Sequence, residues 1–561
     1  MLRLAPAATI LLFVGPVAIG LAGVILPSFG YLPALGGDSI SLQPWRRMLA
    51  EPGLLTAARL SLTTGFAATA LSLVIALGFV AACHGTRMYG RVRHMLAPLL
   101  AVPHAAVAIG LAFLIAPSGW ASRLASPWAT GWQTPPDALI IHDTLGLSLV
   151  AGLVVKEVPF LLLAIMAALN QLPVERSLAT ARTMGYGAVA AWGKAILPLI
   201  YRQIRLPVYA VLAFSMSVVD MAIILGPTTP GPLAREIMRL FNDPDLSQRF
   251  VAAAAAVSQV LLVLAAIAVW RLGELCAGRA LRVWLSDGRR HVQDRAIRWP
   301  VTIALSLLLT VAAASFLAMA LWSVAGVWRF PDGMPDTWSL STWHRLAAPL
   351  SLPMTVTITT AVASTVLALS LVLACLESEY RRGLRPGAHV LWLVYVPLLV
   401  PQIAFLFGNQ IFLVALGLDG RWLALIWAHL LFVLPYVFLI LADPWRALDH
   451  RYSDTGLLLG RGPAAVFWRI KLPMLVRPIL FAAAIGFAVS VGQYLPTVFA
   501  GGGRLPTITT EAVSLAASGD RRVIGVYAFA QTALPLIAFF AALAVPAWLG
   551  RRHRGLVSVT R

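Results

Sequence analysis

The chain has 561 residues, of which 59% are hydrophobic and only 12% are charged. An average soluble domain carries roughly 25% charged residues, so this composition excludes a soluble globular protein, a disordered chain and a disulfide-rich secreted scaffold. The remaining class is a polytopic membrane protein, which we expect to be all-α because helices satisfy their own backbone hydrogen bonds in lipid.

Twelve apolar runs follow one another along the chain, and each is long enough to cross a hydrocarbon core about 30 Å thick. The first run has a counterpart at 303–325, so we interpret it as an uncleaved span and not as a signal peptide. The predicted spans lie approximately at 7–27, 60–83, 95–117, 145–169, 206–226, 250–270, 300–324, 353–375, 388–416, 422–442, 475–499 and 523–548.

Basic residues are concentrated on one side of this topology. If successive loops alternate between the two sides, the side that holds both termini carries 29 of the 43 lysines and arginines and nine of the 23 acidic residues. Positive loops mark the cytoplasmic side, so we predict a multi-pass protein of the bacterial inner membrane with both termini cytoplasmic. The basic clusters are short and lie between spans, which predicts membrane lipid, and not nucleic acid, as a partner.

The chain also contains an internal duplication. The segment 41–76 aligns without gaps with 339–374, and the offset falls from 298 to 275 after an insertion in the loop 117–145. Six spans per half make the two repeats parallel, related by a pseudo-two-fold axis along the membrane normal. We therefore predict a first transmembrane domain at 1–270, a cytoplasmic linker at 271–299 and a second transmembrane domain at 300–561, with a pathway between them.

The cytoplasmic loop between the fourth and fifth spans of each half carries the most informative motif. In the second half, at 443–477, an acid is followed by a glycine and then by Ile-Lys-Leu-Pro; in the first half, at 170–205, alanines replace the acid and the isoleucine. We expect a helix, a glycine break, and a second short helix that Leu-Pro ends before the next span. An apolar stripe on that short helix would need a partner surface; it consists of Ala464, Val466, Phe467 and Ile470.

This spacing resembles the EAA loop of permease subunits of ATP-binding-cassette importers: EAA, three residues, G, nine residues, I-x-L-P. The resemblance covers both halves and is closest to the fused double permeases of ferric-iron, thiamine and putative-thiamine importers. Hereafter 170–205 and 443–477 are the first and second EAA-like loops. The positions that carry the match are Ala181, Gly185, Leu197, Pro198, Asp454, Gly460, Ile470, Leu472 and Pro473.

Several expectations follow from this resemblance. It implies the type I importer fold, and EAA loops that dock on a separate ATPase, present as two copies of one chain that bind ATP and magnesium. It implies a periplasmic binding protein that delivers a small solute, with a thiamine-like cation or ferric iron favoured.

The chain itself lacks the chemistry of an enzyme. A nucleotide-binding P-loop needs lysine followed by serine or threonine, but Lys156, Lys194 and Lys471 are followed by Glu, Ala and Leu. We therefore predict a transport permease with no nucleotide-binding domain, no catalytic residues, no metal site and no cofactor of its own.

Charged residues inside predicted spans are costly and need a partner or a role. Lys156 and Glu157 interrupt the fourth span. We expect each to meet another helix, with Pro159 freeing a backbone carbonyl for one of them. They either brace the spans or line the pathway.

Spans five and eleven share the spacing F-x-x-S-x-x-[D/Q]. Because residues three apart lie on one helix face, Ser217 should share a side with Asp220, and Ser490 with Gln493. These side chains either line the pathway or form hydrogen bonds between helices. An anionic Asp220 would suit a cationic substrate.

The sequence leaves two other functional classes open. A twelve-span secondary transporter of the major-facilitator type also has two six-span halves, although the short basic loop 84–94 lacks the aspartate of that family. A polytopic membrane enzyme would need a catalytic cluster, and the sequence offers no paired His, Asp and Glu set.

Overall fold

The computed structural model describes residues 4–288, 294–383, 395–517 and 519–550. Arg3, the basic C-terminal tail, part of the linker and the beginning of the predicted ninth span lie outside these ranges. The twelve spanning helices are α1 (Ala5–Ser28), α2 (Leu54–Cys83), α3 (His104–Ile115), α4 (Leu147–Leu169), α5 (Leu197–Ser217), α6 (Gln248–Ser286), α7 (Asp294–Val324), α8 (Ser341–Arg382), α9 (Gln402–Ala415), α10 (Trp422–Arg446), α11 (Val476–Val491) and α12 (Arg521–Gly550).

The span count agrees with the prediction. Ten described helices are long and apolar enough to cross a membrane. The bent pair Pro463–Met474 and Val476–Val491 adds an eleventh span, and the shorter apolar helix α9 occupies the position of the remaining one. The protein is therefore an all-α membrane protein with twelve spans in two six-helix repeats.

Four of the predicted spans differ from continuous helices. The helix Arg87–Ala101 stops before Pro103, and α3 begins directly after it. The same break occurs at Pro401, before α9. After α5 and α11 the chain breaks again and continues as the short helices Asp220–Ile224 and Leu495–Gly501. Proline explains the first two breaks because it has no N–H to donate to the preceding turn.

The predicted linker is mostly helical. α6 continues to Ser286, well beyond the end of its apolar run, and α7 begins at Asp294. Only a short described stretch after Ser286 is non-helical, so most of the described part of the predicted linker continues the helices α6 and α7. The extended α6 brings linker residues against the first EAA-like loop, as described below.

The first helix of each half packs against the other half. α1 lies along α9, and α7 lies along α3. Glycines at the same repeat position make both contacts close: a Cβ on Gly110 would lie 2.9 Å from the Ser315 carbonyl oxygen, and one on Gly408 would overlap the carbonyl of Gly20. Small residues let helix backbones approach in this way. The two repeats are thus interlocked, although they are separate in sequence.

The largest buried clusters also contain residues of both halves. Shorter helices close the face of the molecule opposite the EAA-like loops: Gln43–Ala50, Trp120–Ala125, Leu233–Phe241 and Ile508–Ala516.

Candidate functional site

The first EAA-like loop begins with the helix Val174–Thr183 and turns at Gly185, whose φ is +84°. The chain then forms the short helix Ala188–Ala191 and a π-helical turn at Trp192–Ile196, which leads directly into α5. Glycine is the residue that adopts positive φ without steric cost.

The second EAA-like loop repeats this course with one difference. The helix His450–Leu458 turns at Gly460, with φ of +77°, into Pro463–Val466 and a π-helical turn at Phe467–Lys471. The helix Leu472–Met474 then meets α11 at an angle of 76°. The second loop is therefore set off from its span by a sharp bend, while no comparable bend separates the first loop from α5.

Leu-Pro does not end the short helix of the first loop, contrary to our expectation, whereas in the second loop the helical segment Pro463–Met474 ends one residue after Pro473, before α11 begins. Leu197 and Pro198 are the first residues of α5, and Leu472 and Pro473 are the first residues of Leu472–Met474. Proline is tolerated at these positions because the first N–H groups of a helix have no intrahelical partner.

The burial of the motif positions is mixed. Ala181 is buried, Gly185, Asp454 and Gly460 are exposed, and Ile470 is half-buried. Of the expected apolar stripe, Val466 is buried but Ala464 is exposed, so the stripe is incomplete. The large exposed apolar side chains of the second loop lie elsewhere, at Tyr452, Leu457, Leu458, Leu459, Trp468 and Met474.

The two EAA-like loops begin side by side on one face of the molecule. The Gln171 amide donates a hydrogen bond to a carboxylate oxygen of Asp443 at 3.4 Å, although the two residues belong to different halves. A partner with two-fold symmetry could therefore contact both loops at once.

A lysine side chain holds each loop against a neighbouring helix. Lys194 donates to the Trp284 carbonyl and to Asp287, both at 2.9 Å, and so joins the first loop to the end of α6. Lys471 donates to Glu377 of α8 at 2.8 Å, and its ammonium lies 3.2 Å from the Tyr380 ring centroid. No sequence signal identified these pairs, because their partners are about 90 residues away.

Inside the bundle, Lys156 caps a helix break. Its ammonium donates to the carbonyl oxygens of Leu100 at 3.0 Å and Val102 at 2.5 Å, where Arg87–Ala101 ends before Pro103. A cation stabilises a helix C-terminus through the partial negative charge of its free carbonyls. Lys156 thus meets another helix, as we expected, but the carbonyls are those freed by Pro103 and not by Pro159.

Glu157 faces the same break from the adjacent position. One of its carboxylate oxygens lies 3.7 Å from His104 Nε2, at the start of α3. It is also within electrostatic range of Tyr436, on α10 of the other half. Glu157 therefore lies where the two halves meet.

Asp220 and Ser217 do not share a helix face. α5 ends at Ser217, Val218 is extended, and Asp220 is the first residue of the next short helix. Asp220 is buried and lies within electrostatic range of Tyr494, in the corresponding break of the second half. Likewise α11 ends between Ser490 and Gln493, so the expectation of a common face was wrong in both halves.

His429 organises a polar cluster that the sequence analysis missed. Its Nδ1 lies 2.8 Å from the Ser490 hydroxyl and its Nε2 lies 2.9 Å from the Thr497 hydroxyl, so this one buried ring joins both sides of the break after α11. Ser490 is also 3.2 Å from Ser364 of α8. The sequence feature that could have indicated this cluster is a histidine within an apolar run, six residues before Pro435.

Comparisons with known proteins agree on one protein class. No family model matches the chain. The chain is 31% identical over 521 residues to the inner membrane ABC transporter permease protein YnjC of Escherichia coli strain K12. The aligned region covers 92% of this chain and 93% of YnjC. It is 30% identical over 218 residues to the molybdenum transport system permease protein ModB of Mycobacterium tuberculosis, covering 35% of this chain and 75% of ModB. It is 27% identical over 117 residues to the putrescine transport system permease protein PotI of Escherichia coli strain K12, covering 20% of this chain and 42% of PotI.

Proposed function

This chain belongs to the permeases of ATP-binding-cassette importers of the bacterial inner membrane, and we propose that its two halves form the translocation pathway for a small solute and are driven by a separate ATPase. The similarity to a permease over nine-tenths of the chain argues against a major-facilitator transporter.

The observation that carries this proposal is the pair of EAA-like loops on one face. Each contains a helix, a glycine with positive φ and a short helix that leads into a span through a π-helical turn. Movement of the first loop would therefore be transmitted directly to α5, and movement of the second loop would reach α11 through the bend after Met474. We propose that an ATPase homodimer, with bound ATP and magnesium, docks on both loops, so that this basic face is cytoplasmic and carries both termini.

Substitution of the turn glycine tests the coupling role. Gly460→Val strains the loop because a residue with a Cβ pays about 1–2 kcal/mol to adopt a left-handed conformation. We expect ATP-driven uptake in proteoliposomes that contain the permease, the ATPase and the binding protein to fall about tenfold, while the amount of permease in the membrane is unchanged.

Gly462→Val is the matched control. Gly462 is exposed, and no heavy atom lies within 4 Å of the position that a Cβ would take there. Its backbone is extended, with φ of −66° and ψ of 157°. Valine adopts this conformation readily. Equal uptake by the two variants would contradict the coupling role of Gly460.

For the substrate, we propose a small cation delivered by a periplasmic binding protein. Two buried carboxylates, Glu157 and Asp220, lie in the interior, while the charge of Lys156 is directed at helix carbonyls. The named relatives transport different compounds, molybdenum and putrescine, so the choice rests on these side chains. A thiamine-like cation and ferric iron are the first compounds to test.

Neutralising Asp220 tests the charge preference. We expect Asp220→Asn to reduce uptake of the cation about tenfold, a loss of about 1.4 kcal/mol in transition-state stabilisation. Asp336→Asn, at an exposed position on the face opposite the EAA-like loops, is the control. Unchanged uptake by Asp220→Asn would argue against a cationic substrate and leave the permease assignment intact.

A further inference from the structure

A cavity of about 500 Å³ opens on the face opposite the EAA-like loops, and both halves contribute to its walls. Trp322 lies near the end of α7 and Arg521 begins α12, so the cavity is at the level where two apolar helices leave the membrane. Its most informative lining residues are Ser118, Trp322, Trp328, Arg329, Arg521 and Arg522.

Two arginines converge on Ser118 at the base of this cavity. Arg123 Nε donates to the Ser118 carbonyl oxygen at 3.1 Å, and Arg521 Nη1 donates to the same oxygen at 2.6 Å. Arg521 Nη2 also donates to the Ser118 hydroxyl at 2.7 Å. The two guanidinium groups lie 5.5 and 5.3 Å from the centroid of the Trp322 ring. All these partners are neutral.

Within the described ranges, neither arginine has a carboxylate within 4.0 Å, whereas the neighbouring Arg522 pairs with Asp520 at 3.4 Å. Arg123 is buried and within electrostatic range of the Asp332 carboxylate, and Arg521 is half-buried. Removing a charge from water is costly unless a counter-charge compensates for it. The planar guanidinium matches the oxygens of phosphate in a bidentate arrangement, so an anion with several oxygens is the complementary ligand.

An apolar rim surrounds this charged centre. The Trp120 indole donates to the Gly333 carbonyl at 3.1 Å and holds the helix Trp120–Ala125 against the loop that follows α7. Large apolar side chains on and near these two segments are exposed, and they are those of Leu124, Trp128, Val327, Met334 and Trp338. Tryptophan near the ends of spanning helices is typical of the membrane–water interface. A lipid would place its phosphate on the arginines and its glycerol and acyl groups on this rim.

The last spanning helix of each half begins differently. α6 begins with Gln248 and Arg249, whereas α12 begins with Arg521 and Arg522. The first half therefore has one arginine in the first two residues of this helix, and the second half has two. The pair of arginines at Ser118 is therefore not a consequence of the repeated fold.

We propose that this cavity binds the phosphate of an anionic phospholipid headgroup, with Arg521 as the principal ligand and Arg123 and Trp322 as supporting groups. The site requires neither the ATPase nor a transported solute.

Thermal unfolding of the purified full chain in detergent tests the proposal. We expect phosphatidylglycerol to raise the apparent Tm of the unsubstituted chain by several degrees and phosphatidylcholine to raise it much less. Arg521→Gln, which removes the charge but keeps a polar side chain, should lose most of the phosphatidylglycerol effect. Arg504→Gln should keep it, because Arg504 is on the same face but is exposed, with its guanidinium near the Asp419 carbonyl.

Further arms separate the possible ligands. Inorganic phosphate that reproduces the full Tm rise would overturn the lipid assignment in favour of a free anion. An equal Tm rise with both lipids would also overturn the proposal, as would a Tm rise in Arg521→Gln as large as that of the unsubstituted chain. If Arg521→Gln keeps its Tm response to lipid but loses stimulation of transport by the binding protein, the proposal is likewise overturned. If Arg521→Gln does not fold, Arg521→Lys should retain partial stabilisation, and native mass spectrometry of the unsubstituted chain should show phosphatidylglycerol retained over phosphatidylcholine.

Discussion

The backbones of the two EAA-like loops follow the same course, but different kinds of side chain hold each loop against the neighbouring helices. In the second half, Lys471 and Glu377 form an ion pair in which both side chains are almost fully buried. The same two repeat positions in the first half are Ile196 and Phe79, which are buried in one apolar cluster. An ion pair and an apolar pair therefore support the same loop geometry.

This difference agrees with what is known of buried ion pairs. Desolvation of two charges offsets most of their attraction, so an apolar pair of similar volume can replace them at little cost, while loss of one partner is costly. The shape of the loop is thus kept by the turn glycine and the π-helical turn, and the fastening side chains are free to differ between halves.

The loops differ at their surfaces as well. The first loop is tied to the end of α6 through Lys194 and presents two large exposed apolar side chains, Met184 and Leu199. The second is tied to α8 and presents several such side chains. The second loop therefore offers more apolar surface to the proposed ATPase than the first.

The largest expected effect comes from breaking the buried ion pair. Glu377→Phe alone leaves the Lys471 ammonium buried without its partner, which we expect to cost about 3–5 kcal/mol. The double variant Glu377→Phe with Lys471→Ile copies the first half and should recover most of this loss. The measurement is thermal unfolding of purified permease in detergent. A double variant as unstable as the single one would show that the two fastenings are not interchangeable.

A smaller effect is expected from the glycines that interlock the halves. Gly408→Leu forces α1 away from α9 because its side chain would occupy the space of the Gly20 backbone, at a cost of about 1–3 kcal/mol. Gly110→Leu should reduce stability less than Gly408→Leu does. A Cβ at Gly110 would lie 2.9 Å from the Ser315 carbonyl oxygen, which is a less severe overlap than that of Gly408 with Gly20.

The control for both is Gly278→Leu on α6, where a Cβ meets no heavy atom within 4 Å. Unfolding temperature and the fraction of folded protein after extraction are the measurements. If Gly408→Leu behaves like Gly278→Leu, the close contact between α1 and α9 does not contribute to stability.

The smallest effect is expected at the fastening of the first loop. Lys194→Gln removes an ion pair that is partly open to water, since the Asp287 side chain is 25% exposed. Exposed or partly exposed pairs contribute about 0.2–1 kcal/mol. We expect a small loss of stability that becomes smaller still at high salt, in contrast to the salt-insensitive loss in Glu377→Phe. Equal salt dependence would contradict the difference in burial between the two pairs.

Much of this molecule was predictable because hydropathy and repeats are local properties of a sequence. The twelve spans, the two parallel repeats and the positions of the turn glycines Gly185 and Gly460 follow from composition, period and spacing. The breaks before Pro103 and Pro401 fall at prolines, but Pro159 and Pro435 lie inside unbroken helices, so proline alone did not predict the breaks. The breaks after Ser217 and Val491 follow no proline.

The sequence by itself determined that the chain is a twelve-span permease with two EAA-like loops, because apolar length and motif register do not depend on which helices touch. The tertiary structure alone decided which charges meet: Lys156 with the carbonyls before Pro103, Lys471 with Glu377, and Arg521 with Arg123 around Ser118. These partners come from distant segments, so their pairing depends on how the two halves interlock.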